Sequence, residues 1–132
     1  MKKLILLVFL LLLTFLIYSK SKKISEEKND IDYLEKIAKD INKNNLIKKY
    51  AYFFSSTPYH NNYKIYFETQ FALAPHVLVR SKFEEIPRDS LILYIEKKKS
   101  KTPKEIKSLK DTLYFSDKNE RFRYLILRKR GF

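Results

Sequence analysis

The hydrophobic positions follow different patterns in successive parts of the chain. From Leu4 to Tyr18 every residue except Thr14 and Tyr18 itself is apolar, so this stretch has no polar face. From Asp30 to Ile41 the apolar residues recur at spacings of three and four, which predicts an amphipathic helix with Asp30 as its N-cap. Beyond Ile41, short apolar runs alternate with polar or proline-containing segments, and this pattern predicts strands and turns.

Five short runs are rich in aromatic or β-branched residues and are bounded by turn residues, so they are predicted to be strands. They are Tyr50–Ser55, His76–Arg80, Ser90–Glu96, Thr112–Ser116 and Arg121–Arg128. Tyr63–Ala74 fits both periods, and its length together with the stop at Pro75 favours a helix. A shorter helix is predicted from Thr102, as N-cap, to Leu109.

These elements predict an α/β fold in which an N-terminal membrane helix precedes a small mixed sheet of about five strands. Two main helices accompany the sheet, and the last two strands form a C-terminal β-hairpin. The helix between the first two strands favours a parallel crossover, and the nearly continuous apolar run at Ser90–Glu96 predicts a strand covered on both faces. We expect an anchor at residues 1–23, a tether at 24–30 and one domain at 31–132.

The apolar stretch Leu4–Tyr18 decides the expected location. It is 15 residues long, and lysines on both sides can lengthen it towards the minimum of about 17 residues for a membrane span. A cleaved signal peptide is the alternative, with the small residues Ser19 and Ser21 before the cut. Lys20 lies between them and Lys22 would follow the cut, which makes a poor cleavage site. We therefore expect an uncleaved single-pass anchor. The flanking lysines nearly cancel as an orientation signal, and a short N-terminal head favours a domain outside the cytoplasm.

The charge of the chain adds a candidate surface. Lys and Arg number 28 against 15 Asp and Glu, a net charge of +13, of which +8 remains after residues 1–23. The predicted basic surface comprises Lys97, Lys98, Lys99, Arg121, Arg123, Arg128, Lys129 and Arg130. Beside a bilayer such cations attract anionic lipid or an acidic membrane protein partner. Nucleic acid would attract them too, but the predicted anchor argues against it.

Composition excludes most familiar active sites. The absence of Cys excludes disulfides, thiolate metal sites and thiol nucleophiles, and Gly131 as the single glycine excludes a glycine-rich phosphate loop. We expect no cofactor and no metal. The weak catalytic candidates are His60, in the predicted loop Ser55–Asn62, His76, and Arg80 at a strand end. Ordinary surface or loop histidines are the favoured interpretation.

The segment Tyr66–Val77 reads YFETQFALAPHV. It resembles a YYRAQYALAPRVV-like segment of uncharacterised bacterial membrane-attached proteins, in some of which it belongs to an extramembrane domain joined to a polytopic membrane bundle. The resemblance implies a helix and then a strand around Pro75, and attachment to the membrane. It supplies no catalytic residue. Glu68 and His76 stand where basic residues are usual in that family, which weakens an anion-binding role for both positions.

Two function classes follow from these observations. The first is a basic, membrane-anchored extramembrane interaction domain of the bacterial envelope, which requires no enzymatic activity. The second is an accessory or catalytic domain that acts on a lipid-linked or phosphorylated envelope substrate, with His60 and Arg80 near the strand ends. The sequence favours the first class, because nothing in the spacing of its polar residues requires a reaction.

Overall fold

The computed structural model describes residues 1–56 and 59–130, without the side chains of residues 26–29 and 59–62. Its helices are α1 (Lys2–Lys43), α2 (Tyr59–Leu73) and α3 (Lys104–Ser108). Its strands are β1 (Tyr50–Ser55), β2 (Val77–Val79), β3 (Leu91–Lys97), β4 (Thr112–Ser116) and β5 (Phe122–Arg128), and a 3-10 helix covers Phe83–Glu85. The predicted α/β fold and the order of its elements are confirmed.

The chain divides into two units, Met1–Ile31 and Asp32–Phe132. In the first unit the side chains from Leu4 to Tyr18 are exposed. Within the described residues, α1 is the one helix whose length and composition are sufficient to cross a membrane. The second unit contains the C-terminal part of α1 and the whole sheet.

The structure differs from the predicted start of the amphipathic helix, which follows the expected tether at residues 24–30. This predicted tether is helical, and Asp30 lies inside α1 instead of capping its first turn. The reason is compositional, because Lys20–Asp30 contains neither Gly nor Pro and consists largely of Lys, Glu and Ser, which an α-helix accommodates. The periodic apolar residues show which part of α1 packs in the second unit. They do not show where the helix starts.

The five strands form one mixed sheet in the order β2-β1-β3-β5-β4. β1 is parallel to β2 and to β3, whereas β5 is antiparallel to β3 and to β4. The parallel β1–α2–β2 connection and the hairpin at one edge are therefore as predicted. β3 lies at the centre, and Ile92–Glu96 are all buried, which confirms a strand covered on both faces.

Both faces of the sheet are covered by apolar side chains. On one face the C-terminal part of α1 and α2 supply Leu34, Ile37, Ile41, Ile65 and Leu73. On the other face Ile86 and Ile106 pack against Ile92, Tyr94 and Leu127. Since alternate residues of a strand point to opposite faces, the apolar centre of β3 contributes to both layers.

Two boundaries near candidate residues differ from the prediction. α2 begins at Tyr59, so the predicted loop Ser55–Asn62 is wrong over its second half. α3 begins at Lys104 with Pro103 as its N-cap. The hydroxyl of Thr102 does not cap the helix, because it donates instead to the Glu96 carboxylate at 2.9 Å.

Candidate functional site

A groove of about 520 Å³ lies where β1 and β3 begin and β5 ends. We call this place the amino edge of the sheet and the cavity the amino-edge groove. Lys48, Lys49 and Arg128 line it with cations, and Tyr50 and Leu91 line it with apolar surface. Its size lies within the range of small-molecule sites.

The end of α1 forms one wall of the groove. The N–H of Leu46 donates to the carbonyl of Ile41 at 3.1 Å, and the N–H of Asn45 donates to that of Asn42 at 3.2 Å. These two bonds form a Schellman cap, with Asn45 in the left-handed region at φ 49°. The cap turns the chain out of the helix, and Lys48 then enters the groove lining just before β1.

The opposite wall is the turn that leads into β3. Asp89 has φ 63°, and its N–H donates to the carbonyl of Lys129 at 2.6 Å. The ammonium of Lys129 donates to the carbonyls of Phe83 and Ile86, each at 2.7 Å, so this cation supports the turn. Among the described residues, the two non-glycine positions with positive φ are Asn45 and Asp89, and both line the groove.

The groove is electropositive. Three cations, Lys48, Lys49 and Arg128, face one acidic residue, Asp89. In the part of the chain that the structure describes, none of these three side chains forms an ion pair. Since the lining also includes Tyr50 and apolar side chains, the groove suits an anionic group that carries an apolar portion.

A second polar centre lies on the opposite edge, at the carboxyl ends of β1 and β3. There the carboxylate of Glu96 accepts hydrogen bonds from Arg123, from Tyr94 at 2.5 Å and from Thr102 at 2.9 Å. Burial, and next the hydrogen bond to Glu96, raise the pKa of Tyr94 and keep its phenol protonated. Open α/β sheets commonly bind ligands at this edge, but here the polar groups bind one another, so we assign them a structural role.

A third polar cluster joins α1 to the hairpin. Asp40 accepts hydrogen bonds from the phenols of Tyr124 and, at 3.3 Å, Tyr114. It also accepts one from the Asn44 amide at 2.9 Å. Burial, and next the bond to Asp40, raise the pKa of Tyr124, which therefore stays a donor. The adjoining cavity is about 150 Å³ and has Lys36 in its lining.

The predicted basic surface falls at the two ends of β5. Lys97, Lys98, Lys99, Arg121 and Arg123 lie near its start, and Arg128, Lys129 and Arg130 lie at its end. At about 3.4 Å per residue, the seven-residue strand separates the two groups by roughly 20 Å. The predicted residues therefore do not form one continuous patch.

Several of these predicted cations already have partners. Lys98 forms an ion pair with Asp117 at 3.1 Å, and Arg130 forms one with Asp111 at 2.7 Å. Arg123 binds Glu96. Of the eight predicted residues, Arg128 is the one that lines the amino-edge groove.

The structure places two of the three weak catalytic candidates, His76 and Arg80, apart from each other. His60 lies in the first turn of α2 and not in a loop, and its side chain is outside the described residues. His76 precedes β2 and Arg80 follows it, so the two lie at opposite ends of that strand. The guanidinium of Arg80 lies over the ring of Tyr63, with 3.8 Å to the centroid. The structure therefore does not bring His76 and Arg80 together.

Sequence reasoning missed Lys48 and Lys49. The available signal was topological. In an antiparallel pair, the start of one strand lies beside the end of the other, so the residue before a strand and the last residue of an antiparallel strand lie at the same edge of the sheet. β5 is antiparallel to β3, and β3 is parallel to β1, so the end of β5 lies at the edge where β1 starts. Recognising this required the strand order β1-β3-β5, which local patterns do not determine.

No group of three His, Asp or Glu residues that could hold a metal ion occurs within residues 1–56 and 59–130, as far as their side chains are described. Comparisons of the chain with protein-family models, with curated proteins and with solved structures find no match.

Proposed function

We propose that this protein is a membrane-anchored extramembrane domain of the bacterial envelope that binds anionic, phosphate-bearing lipid headgroups in its amino-edge groove. The observation that carries the proposal is the set of three cations, Lys48, Lys49 and Arg128, which line one concave surface without ion-pair partners among the described residues. The apolar segment of α1 supports the location of that surface near a bilayer. The function requires binding and no chemical step.

The topology is part of the same proposal. Residues 1–23 are the uncleaved anchor, and the following domain lies outside the cytoplasm. The exposed apolar side chains of Leu4–Tyr18 support membrane insertion, because their contiguous apolar surface has no cover within the described chain.

The lining of the groove fits a lipid headgroup better than a free inorganic anion. Each Lys or Arg near an anionic membrane surface contributes about 1 kcal/mol of attraction. Tyr50 and Leu91 offer apolar surface beside the cations, which suits the glycerol and first methylenes that adjoin a lipid phosphate. An acidic segment of a membrane protein would use the same cations but would leave this apolar surface without a function.

A titration of the full chain in a neutral detergent tests the proposal. Short-chain phosphatidylglycerol is added to isotopically labelled protein, and amide shifts are followed by NMR. The groove variant K48Q/K49Q/R128Q is compared with K104Q/K107Q/K110Q, which removes three exposed cations outside the groove. We expect the groove variant to lose affinity about 10- to 100-fold, and the control variant to change it less than about threefold.

The location of the shifts gives a second readout. Binding in the groove moves the amides of Asn45–Tyr50 and of Asp89–Leu91, and short-chain phosphatidylcholine moves them little. Equal losses in the two triple variants would reduce the interaction to net charge and contradict the proposal. Equal affinity for the two lipids would contradict it as well.

A further inference from the structure

The outer face of α2 carries an aromatic stripe. Tyr63, Phe67 and Phe71 recur at a spacing of four and have exposed fractions of 40, 62 and 82 per cent. The inner face of the same helix buries Ile65 and Leu73. An outer face of this kind is normally polar, and contiguous exposed apolar surface marks an interaction site. The fold itself does not require these rings, since the inner face already packs α2 on the sheet.

Two members of the stripe, Tyr63 and Phe67, are held by ring contacts and by a cation. The rings of Tyr63 and Phe67 are stacked, with centroids 6.4 Å apart. Tyr66 meets Phe67 edge to face at 5.1 Å. The guanidinium of Arg80 lies 3.8 Å from the centroid of Tyr63. One end of the stripe therefore presents an aromatic ring and a positive charge together.

The other end of the stripe lies beside the C-terminal part of α1, where Phe71 lines a shallow cavity with Lys39 and Asn42. α2 connects the end of β1 to the start of β2, so Phe71 in its last turns approaches the amino edge. Lys39 is exposed, so a cation also lies at this end of the stripe.

We propose that the aromatic stripe of α2 contacts the headgroup–acyl interface of a bilayer. Tyr favours that interface, and Phe is typical of the apolar face of helices that lie in it. The cations at the two ends of the stripe, Arg80 and Lys39, attract lipid phosphate. The proposal rests on the proposed membrane attachment, because the apolar part of α1 keeps a bilayer at high effective concentration for the same chain. It goes beyond headgroup binding in the groove, because it adds an apolar contact that does not depend on anionic lipid.

Because the chain has no Trp, the fluorescence of one introduced Trp reports on a single position. In the full chain, Phe71→Trp creates a single-tryptophan reporter on the stripe, and Phe67→Trp creates a second one. Phe115→Trp is the matched control, because Phe115 is 55 per cent exposed on β4. Each protein is reconstituted in phosphatidylcholine nanodiscs, with one chain per disc, and far-UV circular dichroism compares the folds.

We expect blue-shifted emission from F71W and F67W, with quenching by lipids brominated near the glycerol at least threefold stronger than for F115W. Equal quenching of F71W and F115W would overturn the proposal. A blue shift that appears only when discs contain two chains, and that brominated lipid does not quench, would also overturn the proposal, because a second copy of the chain would then cover the stripe. Phosphatidylcholine discs contain no anionic lipid, so quenching in them tests the stripe alone. The headgroup titration in detergent tests the groove, and the two proposals can therefore fail independently.

Discussion

Glu96 and Arg123 lie directly opposite each other on β3 and β5, and the Arg123 guanidinium donates to the Glu96 carboxylate. The Glu96 side chain is 1 per cent exposed, whereas that of Arg123 is 32 per cent exposed. Tyr94 and Thr102 donate to the same carboxylate. The buried charge is therefore fully hydrogen-bonded, and the pair favours the observed register of the two strands over a shifted one.

Glu96→Gln should destabilise the protein by about 2–4 kcal/mol. The amide keeps the size of the side chain but removes the negative charge, so Arg123 loses its counterion and two hydroxyl donors lose a charged acceptor. Urea unfolding of the full chain in detergent, followed by the near-UV circular dichroism of its tyrosines, measures the change.

A double-mutant cycle with Arg123→Met separates the pair from its surroundings. If the pair acts together, the double variant is less destabilised than the sum of the two single variants. Additive losses would show that the carboxylate is stabilised mainly by Tyr94 and Thr102. A loss below about 0.5 kcal/mol for Glu96→Gln would contradict a structural role for this centre.

The strand that contains Glu96 could be predicted, and the environment of Glu96 could not. The apolar run of Ser90–Glu96 indicates a buried central strand because local composition determines burial. The partner of Glu96, however, depends on which strand is its neighbour and in which register, and this long-range choice has no signal in a local window. The same limit concealed the amino-edge groove, which Lys48 and Arg128 both line although they are 80 positions apart in the sequence.

Helix boundaries show a different limit. A capping residue such as Asp30 marks a possible start, but the preceding residues extend the helix when nothing in them opposes it. The hydroxyl of Thr102 shows that a capping motif competes with tertiary partners, since the buried carboxylate of Glu96 binds this hydroxyl instead. The periodic apolar residues therefore predicted the packed part of α1. The full length of the helix depended on preceding residues that have no hydrophobic period.

Asn45 provides a test of the cap that ends α1. At φ 49° a Cβ atom is unfavourable, Asn tolerates the conformation better than most residues, and Gly adopts it freely. We expect Asn45→Ala to lower the free energy of unfolding by about 1 kcal/mol, and Asn45→Gly to leave it unchanged or raise it slightly. Thermal unfolding of the two variants measures the difference. If Ala and Gly have the same effect, the left-handed backbone is not what the position requires.

The buried tyrosines predict a loss of stability in alkali. The pKa of Tyr94 and that of Tyr124 are raised in the folded state, chiefly by burial. An unfolded tyrosine ionises near pH 10, so above that pH the unfolded chain releases protons that the folded protein retains. These two tyrosines should therefore leave the free energy of unfolding unchanged below about pH 10 and should lower it above that pH. Urea unfolding at a series of pH values measures the slope.

Phenylalanine substitutions are the control for this slope. Tyr94→Phe and Tyr124→Phe each remove one group that titrates differently in the two states, so each should make the alkaline decline shallower. Tyr50→Phe, at an exposed position, should leave the decline as it is. A decline of equal slope in all three variants would show that Tyr94 and Tyr124 do not cause it.

The apolar segment of α1 allows a direct test of anchoring. Leu10→Arg together with Leu11→Arg places two cations at the centre of the segment, where each costs about 2.5–3.5 kcal/mol of insertion. We expect the unmodified chain to remain in membranes after an alkaline carbonate wash and the L10R/L11R variant to be released. K22R/K23R keeps the charge at the segment's end and should stay bound. The intact mass decides between an anchor and a signal peptide, because an uncleaved anchor retains the full 16.0 kDa. A membrane-free species that begins near Ser21 would contradict anchoring. It would also remove the physical basis for headgroup binding beside a bilayer.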